Sequence, residues 1–326
     1  MTDPVVTVVI VSFNTRELLR RCLECLESAR FTVWFETVVV DNASRDGSPE
    51  MVHALFPRVR LIESSRNLGF AAANNLALRQ ACGQYALLLN SDTEIAPGLL
   101  DTMVAWAERH PNAGAVGCKL VNGDGSLQRS CWRFPTPVRA IAEAFGLTQL
   151  LHKYSNYREW DYGSERQVDF AIGACLLLRL DALRKVSFFD ERYFLYAEEA
   201  DLSRRLSEHG WQTWYTPACT VVHRGGASAT ATTSYQFLHA QDQFFQRWYG
   251  PAGVLALRLS QLIGPTIRLG WSRACALRQS SDSNRESWRA RQATILQWSL
   301  NKSRLQPRHA TPSEPGAGDS AETRAG

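Results

Sequence analysis

Short apolar runs, mostly of β-branched residues, alternate with helical patterns along the first 90 residues of the chain. The strand-like runs are residues 7–12, 37–40 and 85–89, with 59–63 as a further candidate, and the helical patterns are 16–29, 49–56 and 70–81. Runs without polar alternation are typical of strands buried on both faces, as in a parallel sheet. The order strand, helix, strand, helix, strand predicts a Rossmann-like, doubly wound α/β domain.

A second section begins near residue 115, and its pattern is less regular. It contains a predicted strand at 168–178, a short helix at 181–186, extended pieces at 213–215 and 220–223, and an aromatic-rich helix at 234–248. Residues 122–167 lack clear periodicity, which is typical of functional loops or disorder. Gly250-Pro251 ends the last helix, so we predict a main domain at 1–250, a basic helical appendage at 251–306 and a disordered tail at 307–326.

Charge and cysteine usage narrow the class of protein. The net charge is +4, but residues 251–309 alone carry ten Lys or Arg against Asp282 and Glu286. No apolar run reaches the ~20 residues that span a bilayer. The chain starts without a secretory signal pattern, which favours a reducing, cytoplasmic location with eight free thiols. Cys22 and Cys25 continue a helical apolar series, so we interpret them as core residues rather than as a redox or metal pair.

Polar residues follow three of the predicted strands. Ser12-Phe13-Asn14 follows the first, the segment from Asp41 to Ser48 follows the second, and Asn90-Ser91-Asp92-Thr93 follows residue 89. Ligands of open parallel sheets bind at the carboxyl ends of the strands, although each exit alone could be a polar turn. The chain lacks G-x-G-x-x-G and P-loop patterns, which removes support for a dehydrogenase or a P-loop enzyme.

Three carboxylates, Glu198, Glu199 and Asp201, stand where an aromatic stretch gives way to a helical pattern. Acids are ordinary in the first turn of a helix, so a solvated helix start is one interpretation. The other is a general base, because crowded carboxylates raise each other's pKa. Asp92 could bind a hard divalent cation. His223 precedes a glycine-rich stretch, which favours contact with a phosphate or a metal, although a lone histidine is more often structural.

These motifs, with Asn67-Leu68-Gly69-Phe70 between them, occur in an order that resembles family 2 glycosyltransferases of the bacterial rhamnosyltransferase-like branch. The resemblance covers about residues 5–250. It implies a GT-A fold with a mixed sheet and inverting transfer of a sugar from a nucleotide diphosphate donor. Our first expectation is L-rhamnose from dTDP-rhamnose. Galactofuranose or a hexosamine is an alternative donor sugar, and a non-catalytic nucleotide-sugar-binding partner is an alternative function.

The resemblance also implies roles for individual residues. Glu199 matches the base position, usually an aspartate, and Glu198 its neighbour. Asp92 matches the last acid of a D-x-D motif whose first acid is here Asn90, and His223 matches a later contact to metal or diphosphate. The expected cofactor is therefore Mg²⁺ or Mn²⁺, held by Asp92 and His223. The positions expected to bind the nucleotide sugar are Ser12, Asn14, Asp41, Asn67, Asn74, Asn90 and Asp92.

The acceptor and the cellular context are less defined by the sequence. Gln128, Trp132 and Arg133 are candidate acceptor contacts, with packing of a core or a lid as the equal alternative. The expected acceptor is a glycan or a polyprenyl-linked sugar of surface polysaccharide synthesis. Residues 252–278 mix Leu, Ile and Trp with Arg, which suits contact with the inner face of the cell membrane, although packing on the body is an alternative. Pro265 is expected to divide this segment into two short helices. Nucleic-acid binding through the basic segment is not favoured.

Overall fold

The structure is a computed structural model, which describes residues 3–147, 156–157, 159–225, 231–276 and 283–300. The strands are β1 (Val6–Ser12), β2 (Phe35–Asp41), β3 (Arg60–Glu63), β4 (Tyr85–Leu89), β5 (Thr93–Ile95), β6 (Ala113–Val121), β7 (Leu127–Gln128), β8 (Cys131–Trp132), β9 (Arg166–Val168), β10 (Phe170–Ala171), β11 (Cys175–Arg179) and β12 (Gln212–His223). The helices are α1 (Arg16–Ser28), α2 (Ser48–Leu55), α3 (Gly69–Leu78), α4 (Leu99–Arg109), α5 (Pro137–Ala144), α6 (Leu180–Lys185), α7 (Glu198–Glu208), α8 (Ala231–Ala276) and α9 (Ser283–Leu300).

One large mixed sheet organises the main domain. Its strand order is β3-β2-β1-β4-β11-β6-β12-β5, with β7 added to β6 and β9 added to β12. Strands β3, β2, β1 and β4 run parallel, whereas β11 is antiparallel to both β4 and β6. Ser12 pairs with Asp41, so the carboxyl ends of the first two strands lie side by side. The predicted doubly wound α/β fold with a mixed sheet is confirmed.

Helices cover both faces of this sheet, as the unbroken apolar strands require. In β1, Val8 and Ile10 face the core under α1, α2 and α4, whereas Val9 faces the core under α3, α6 and α7. Successive side chains of a strand point to opposite faces, so the apolar residues of β1 pack alternately into the two cores. Cys22 is fully buried in the first of these cores, in agreement with its interpretation as a packing residue.

Several elements differ from the sequence prediction. The prediction of a single strand at 168–178 is wrong, because three short strands, β9, β10 and β11, occupy that stretch. The pieces expected at 213–215 and 220–223 are instead one strand, β12, whose register with β6 shifts between Thr216 and Thr220. Helix α4 and the buried strand β6 were not predicted. The described part of segment 122–167 contains more regular structure than expected, since it includes α5 and the buried aromatic rings of Tyr157 and Tyr162.

The C-terminal part is helical, as predicted, but its breaks differ. Helix α8 kinks at Gly250, whose φ of 61° and ψ of −160° leave the helical region. Pro265, in contrast, lies inside the helix without non-helical dihedrals, so the predicted division at Pro265 is wrong. A Cβ on Gly264 would come within 3.1 Å of Ala144 Cα, so close packing on α5 accompanies the uninterrupted helix. The predicted tail at 307–326 lies outside the described residues, and the expected domain boundaries stay a prediction.

Candidate active site

The carboxyl ends of β1, β2 and β4 form a polar edge, where the first predicted site residues lie. Hydroxyl groups connect two of these strand ends: Ser12 Oγ is 3.0 Å from Thr15 Oγ1, which is 2.9 Å from Ser91 Oγ. Ser12 and Ser91 are buried. This chain of hydroxyl groups fixes the turn after β1 against the turn after β4, so the two exits form one surface.

Asp41 lies at the end of β2 and is only 3 % exposed. Its Oδ2 accepts a hydrogen bond from the Ser44 amide at 2.9 Å, whereas its Oδ1 is buried without a hydrogen-bond partner among the described residues. Burying a carboxylate oxygen without a hydrogen-bond donor costs free energy, and such oxygens usually face a bound water, ion or ligand. Beside it, Asn14 adopts a φ of 53° and its Oδ1 accepts from the Arg45 amide at 2.8 Å. Asn14 therefore joins the loops after β1 and β2 at the rim.

The start of α3 is tied to the loop before α7. Gly69 has a φ of 80°, and a Cβ there would lie 2.2 Å from the Phe194 carbonyl oxygen, so only glycine fits. The next amide, of Phe70, donates to the same carbonyl at 2.7 Å. Asn42 supports this turn, because its Oδ1 accepts from the Leu68 amide at 2.7 Å. The loop that carries Phe194 leads directly into Glu198 and Glu199.

Asn67 and Asn74, both expected to contact the donor, have structural partners. Asn67 Oδ1 accepts from Asn42 Nδ2 and from the Gly69 amide, each at 2.9 Å. Asn74 Nδ2 donates to the Phe70 carbonyl at 2.9 Å, and the residue is 1 % exposed. Local hydrogen bonding therefore gives both asparagines a structural role. Their contact with a nucleotide sugar stays a prediction.

A cluster at the end of β4 and β12 contains the residues expected to hold a metal. His223 Nε2 is 3.1 Å from Asp92 Oδ1 and 3.3 Å from Asn90 Nδ2. On the other side of the ring, Nδ1 lies 2.6 Å from Gln128 Oε1. Gln128 Nε2 donates to Asn122 Oδ1 at 3.0 Å, which orients the Gln128 oxygen toward the histidine. The hydrogen-bond pattern thus places a proton on Nδ1 and turns Nε2 toward the Asp92 carboxylate.

That arrangement fits a divalent cation. At 3.1 Å, His223 Nε2 and Asp92 Oδ1 can share either a proton or a metal ion. A neutral imidazole whose other nitrogen donates to a carbonyl oxygen is the usual form of a metal-bound histidine. Within the described ranges there is no cluster of three or more His, Cys, Asp or Glu side chains that could hold a metal. The protein therefore offers two such ligands, and phosphate and water oxygens would have to fill the shell.

Glu198 and Glu199 open α7 behind two residues of unusual backbone geometry. Tyr196 and Ala197 have φ values of 72° and 65°, the left-handed region that non-glycine residues rarely adopt. Burial raises the pKa of Glu198 well above its ordinary value, and the adjacent Glu199 raises it further. Glu198 is 2 % exposed, and its Oε2 has no hydrogen-bond partner in the part of the chain that the structure describes. The neutral acid is therefore the favoured state of Glu198.

Glu199 differs from its neighbour because it has a donor. Its Oε1 accepts a hydrogen bond from the Gly173 amide at 2.9 Å, which favours the ionised form. Desolvation nevertheless raises its pKa above the ordinary glutamate value. The residue is also less buried than Glu198. Of the pair, Glu199 is thus the carboxylate whose ionised form a hydrogen bond stabilises.

Two consecutive residues connect Glu199 to the metal-ligand candidates. Gly173 donates to Glu199, and the carbonyl of Ala174 accepts from the Asn90 amide at 3.0 Å. Asn90 in turn contacts His223. The structure therefore gathers Asp41, Asp92, His223 and Glu199 along one edge of the sheet.

Asp201, the third acid of the sequence motif, has a different position. It is fully buried, with Oδ2 2.8 Å from Arg205 Nε and Oδ1 3.0 Å from both Arg247 Nε and Trp248 Nε1. Asp201 therefore joins α7 to α8. These contacts fit neither a solvated acid at a helix start nor a general base.

The three acceptor candidates are all engaged with other residues. Gln128 is bonded to His223, as described above. Arg133 lies 4.2 Å above the Tyr157 ring and 3.5 Å from Glu159. Trp132 is in β8, opposite Phe170 of β10. The contacts of Arg133 are those expected if it packs within the protein. An acceptor role for any of the three residues stays a prediction.

Sequence reasoning missed two residues of this site. Gly173 was assigned to the interior of a strand, although a glycine within an apolar run can signal a close approach of another group. A Cβ at this position would lie 2.7 Å from Phe70 Cζ and 3.2 Å from Glu199 Oε1. Thr15, which joins Ser12 to Ser91, gave no sequence signal beyond its place before a helix.

Comparisons with known proteins identify the family and the fold. The model of the family described as glycosyl transferase family 2 matches residues 7–187. The N-acetylglucosaminyl-diphospho-decaprenol L-rhamnosyltransferase of Mycobacterium tuberculosis is 31 % identical over 302 residues, which cover 82 % of this chain and 95 % of that protein. The rhamnosyltransferase WbbL of Escherichia coli is 30 % identical over 165 residues, 48 % of this chain and 60 % of that protein. A mannosyltransferase from Pyrobaculum calidifontis, solved with GDP-Man and Mn²⁺, superposes with a TM-score of 0.57 at 18 % identity, covering 92 % of this chain and 87 % of that one.

Proposed function

We propose that this chain, which belongs to glycosyl transferase family 2 and has the GT-A fold, transfers L-rhamnose from dTDP-rhamnose to an N-acetylglucosaminyl-diphospho-polyprenol. The likeness to the mycobacterial L-rhamnosyltransferase over 95 % of that protein supports the sugar and the acceptor. The observation that carries the catalytic part is Glu199, a carboxylate bonded to Gly173 and connected through Ala174 and Asn90 to His223.

The donor nucleotide would bind at the edge formed by β1 and β2. The unpartnered Asp41 Oδ1 would accept a hydrogen bond from a ribose hydroxyl, and Asn14 lies at the adjacent rim, where a base edge could reach it. Ser12 is within the hydroxyl chain below them. This assignment explains why a buried carboxylate oxygen is left without a protein donor.

Asp92 Oδ1 and His223 Nε2 would hold a Mg²⁺ or Mn²⁺ ion. Such an ion supplies positive charge that stabilises the diphosphate as it departs. Gln128 would position the histidine, because its carbonyl oxygen holds Nδ1. Asn90 replaces one acid of the expected pair, so the protein contributes one negative charge less to the ion and binding should be weaker.

Glu199 would act as the general base. The acceptor hydroxyl attacks the anomeric carbon from the side opposite the diphosphate, its proton passes to a Glu199 oxygen, and the bonding electrons leave with the nucleoside diphosphate. One displacement inverts the anomeric configuration. General base catalysis of this kind typically contributes ~10²–10⁴ in rate.

Two alternatives remain open to test. The same site could use galactofuranose or a hexosamine, since nothing in the described contacts reads the sugar hydroxyl groups. The chain could also be a non-catalytic nucleotide-sugar-binding partner, an idea that rests on the departures at Asn90 and Glu199. The hydrogen bond from Gly173 to Glu199 favours catalysis. It holds the glutamate, which is longer than the usual aspartate, in a defined position.

A lipid-linked acceptor would require contact with the inner face of the cell membrane, and we propose residues 252–278 for that contact. No helix among the described residues is long and apolar enough to cross a bilayer. Contact would therefore be peripheral. The part of this segment with described side chains, 252–267, has exposed Leu255, Leu259 and Ile267.

Incubation of the purified protein with a panel of nucleotide sugars tests the proposal. Free nucleoside diphosphate would be measured with and without Mg²⁺ and with and without a short-chain N-acetylglucosaminyl-diphospho-polyprenol. We expect acceptor-dependent release from dTDP-rhamnose that requires the metal. Release from another donor alone would replace rhamnose with that sugar, and no release from any donor would favour the non-catalytic alternative.

A further inference from the structure

Helix α8 presents an apolar stripe to the outside after Gly250. Leu255, Leu259 and Ile267 are spaced by one and two helical turns, and each is about half exposed. The opposite side of the helix, with Leu257, is buried. A helix that packs on a protein body normally turns its polar side to solvent, so the outward side of α8 has the reverse pattern.

Helix α5 has the same reverse pattern. Ala140 packs against the small core that contains Leu257, and Ala144 is buried. The exposed side chains are Val138, Ile141 and Phe145, which are three and four residues apart and so lie on one side of the helix. Thr136 caps the start of this helix, because its Oγ1 accepts from the Arg139 amide at 3.2 Å. The helix is therefore held in a defined orientation with its larger apolar side chains outward.

The two helices pack closely against each other. The Gly264 Cβ position lies 3.1 Å from Ala144 Cα, so α5 ends directly on the middle of α8. Seven apolar side chains on the two helices and on the turn that follows α5 are each 40–60 % exposed. The membrane-facing surface, as we name it, consists of Val138, Ile141, Phe145, Leu147, Leu255, Leu259 and Ile267.

We propose that this surface, formed by α5 together with α8, inserts among the head groups and upper acyl chains of an anionic membrane. Residues 251–267 carry a single charge, Arg258, which pairs inward with Asp242. The stretch 251–309 as a whole has eight more basic than acidic residues. Apolar contact beside a basic segment is the combination that binds anionic lipid. The inference rests on the proposed lipid-linked acceptor.

The contribution of α5 has a consequence for acceptor delivery. The chain that leads into α5 carries Gln128, which contacts His223, and Phe134, whose amide donates to Asp169 at 2.7 Å. Phe134 also stacks on Phe170 of β10, which lies three residues before Gly173. One short segment therefore connects the candidate metal site to the membrane-facing surface. A polyprenyl chain could stay in the bilayer while its diphospho-sugar enters the cleft.

Vesicle partitioning of the full chain tests the surface. Ile141→Ser with Phe145→Ser removes apolar contact on α5, and Leu255→Ser with Leu259→Ser does so on α8. Trp34→Ser with Leu55→Ser is the matched control, because these two side chains are 57 % and 55 % exposed and belong to neither helix. With vesicles of phosphatidylglycerol and phosphatidylcholine, each surface pair should lower the partition coefficient about tenfold or more, and the control should stay within about twofold.

Transfer assays separate this inference from the proposed function. Both surface pairs should keep wild-type transfer to a detergent-free, short-chain acceptor and lose transfer to a long-chain acceptor embedded in vesicles. Wild-type partitioning by the α5 pair would overturn the inference. The inference would also be overturned if the wild type were a dimer and the surface pairs made it monomeric without changing its partitioning. A second copy of the chain would then be what covers the surface. If the wild type partitions as expected but uses no nucleotide sugar, the membrane surface stands and the proposed function fails.

Discussion

Gly173→Ala should disable the candidate base with little effect on the rest of the fold. Gly173 has no positive φ, so alanine fits its backbone. The difficulty is space: the new Cβ would lie 2.7 Å from Phe70 Cζ and 3.2 Å from Glu199 Oε1. Carbon atoms in contact need about 3.5–4.0 Å. The Phe70 ring edge must therefore move by about 1 Å, and the Glu199 carboxylate must shift or lose its bond to the Gly173 amide.

The size of the effect follows from these distances. A misplacement of about 1 Å in a catalytic geometry can cost ~10²-fold in rate, and overpacking of a buried site costs about 1–3 kcal/mol of stability. We therefore expect kcat/KM for rhamnosyl transfer to fall about 10²-fold. Donor affinity should change little, because neither Phe70 nor Glu199 is among the residues assigned to the nucleotide.

Gly114→Ala is the matched control. A Cβ on Gly114 would lie 2.9 Å from Trp211 Cβ, so the steric insult is similar, but it occurs at the start of β6, far from the strand ends that form the site. Both variants would be compared by denaturant unfolding, donor binding and steady-state transfer. Equal losses of activity in the two variants would refute the reasoning, since general destabilisation would then explain both. Full activity of Gly173→Ala would show that the amide contact does not position the base.

Further predictions concern the same site and its support. Activity should be lost as pH falls through the raised pKa of Glu199, so the acidic limb of a kcat/KM profile at saturating Mg²⁺ should lie above the ordinary glutamate pKa of about 4.3; a limb at or below that value would contradict the desolvation of the base. Gln128→Ala should weaken activation by Mg²⁺ about 10–100-fold in a metal titration, because His223 Nδ1 loses its partner, and an unchanged titration would remove Gln128 from that role. Asp201→Asn should destabilise the protein by about 3–5 kcal/mol in urea unfolding, because it leaves the buried Arg205 without its carboxylate partner; a change below 1 kcal/mol would mean that water replaces this pairing.

The sequence predicted the part of the fold that depends on local pattern. Unbroken apolar strands such as 7–12 can be buried only between two helical layers, and the polar residues after them necessarily meet at one edge. The order of the strands beyond β4 was not predictable in this way, because β11 inserts between β4 and β6 through long-range pairing. Pro265 shows the limit of a local rule, since packing of α8 on α5 keeps the helix intact around a residue that usually ends one.

The candidate site was predictable as a set of residues and less so as a set of contacts. Glu199, Asp92 and His223 could be chosen from motifs, but the partners that hold them come from distant parts of the chain. Gln128 and His223 are 95 residues apart, and Gly173 and Glu199 are 26 apart. The ion pair of Asp201 with Arg247 could not be read from the sequence, because Arg247 lies on a helix whose packing depends on tertiary contacts.

Single-turnover transfer by Glu199→Gln tests the central claim most directly. Glutamine keeps the size of the side chain and can still contact Gly173, but it cannot take a proton from the acceptor. With dTDP-rhamnose and the short-chain acceptor, we predict that transfer slows by at least ~10²-fold while the Kd for the donor stays within about twofold of the wild type. Retention of most of the wild-type transfer rate by the variant would contradict the assignment of Glu199 as the base.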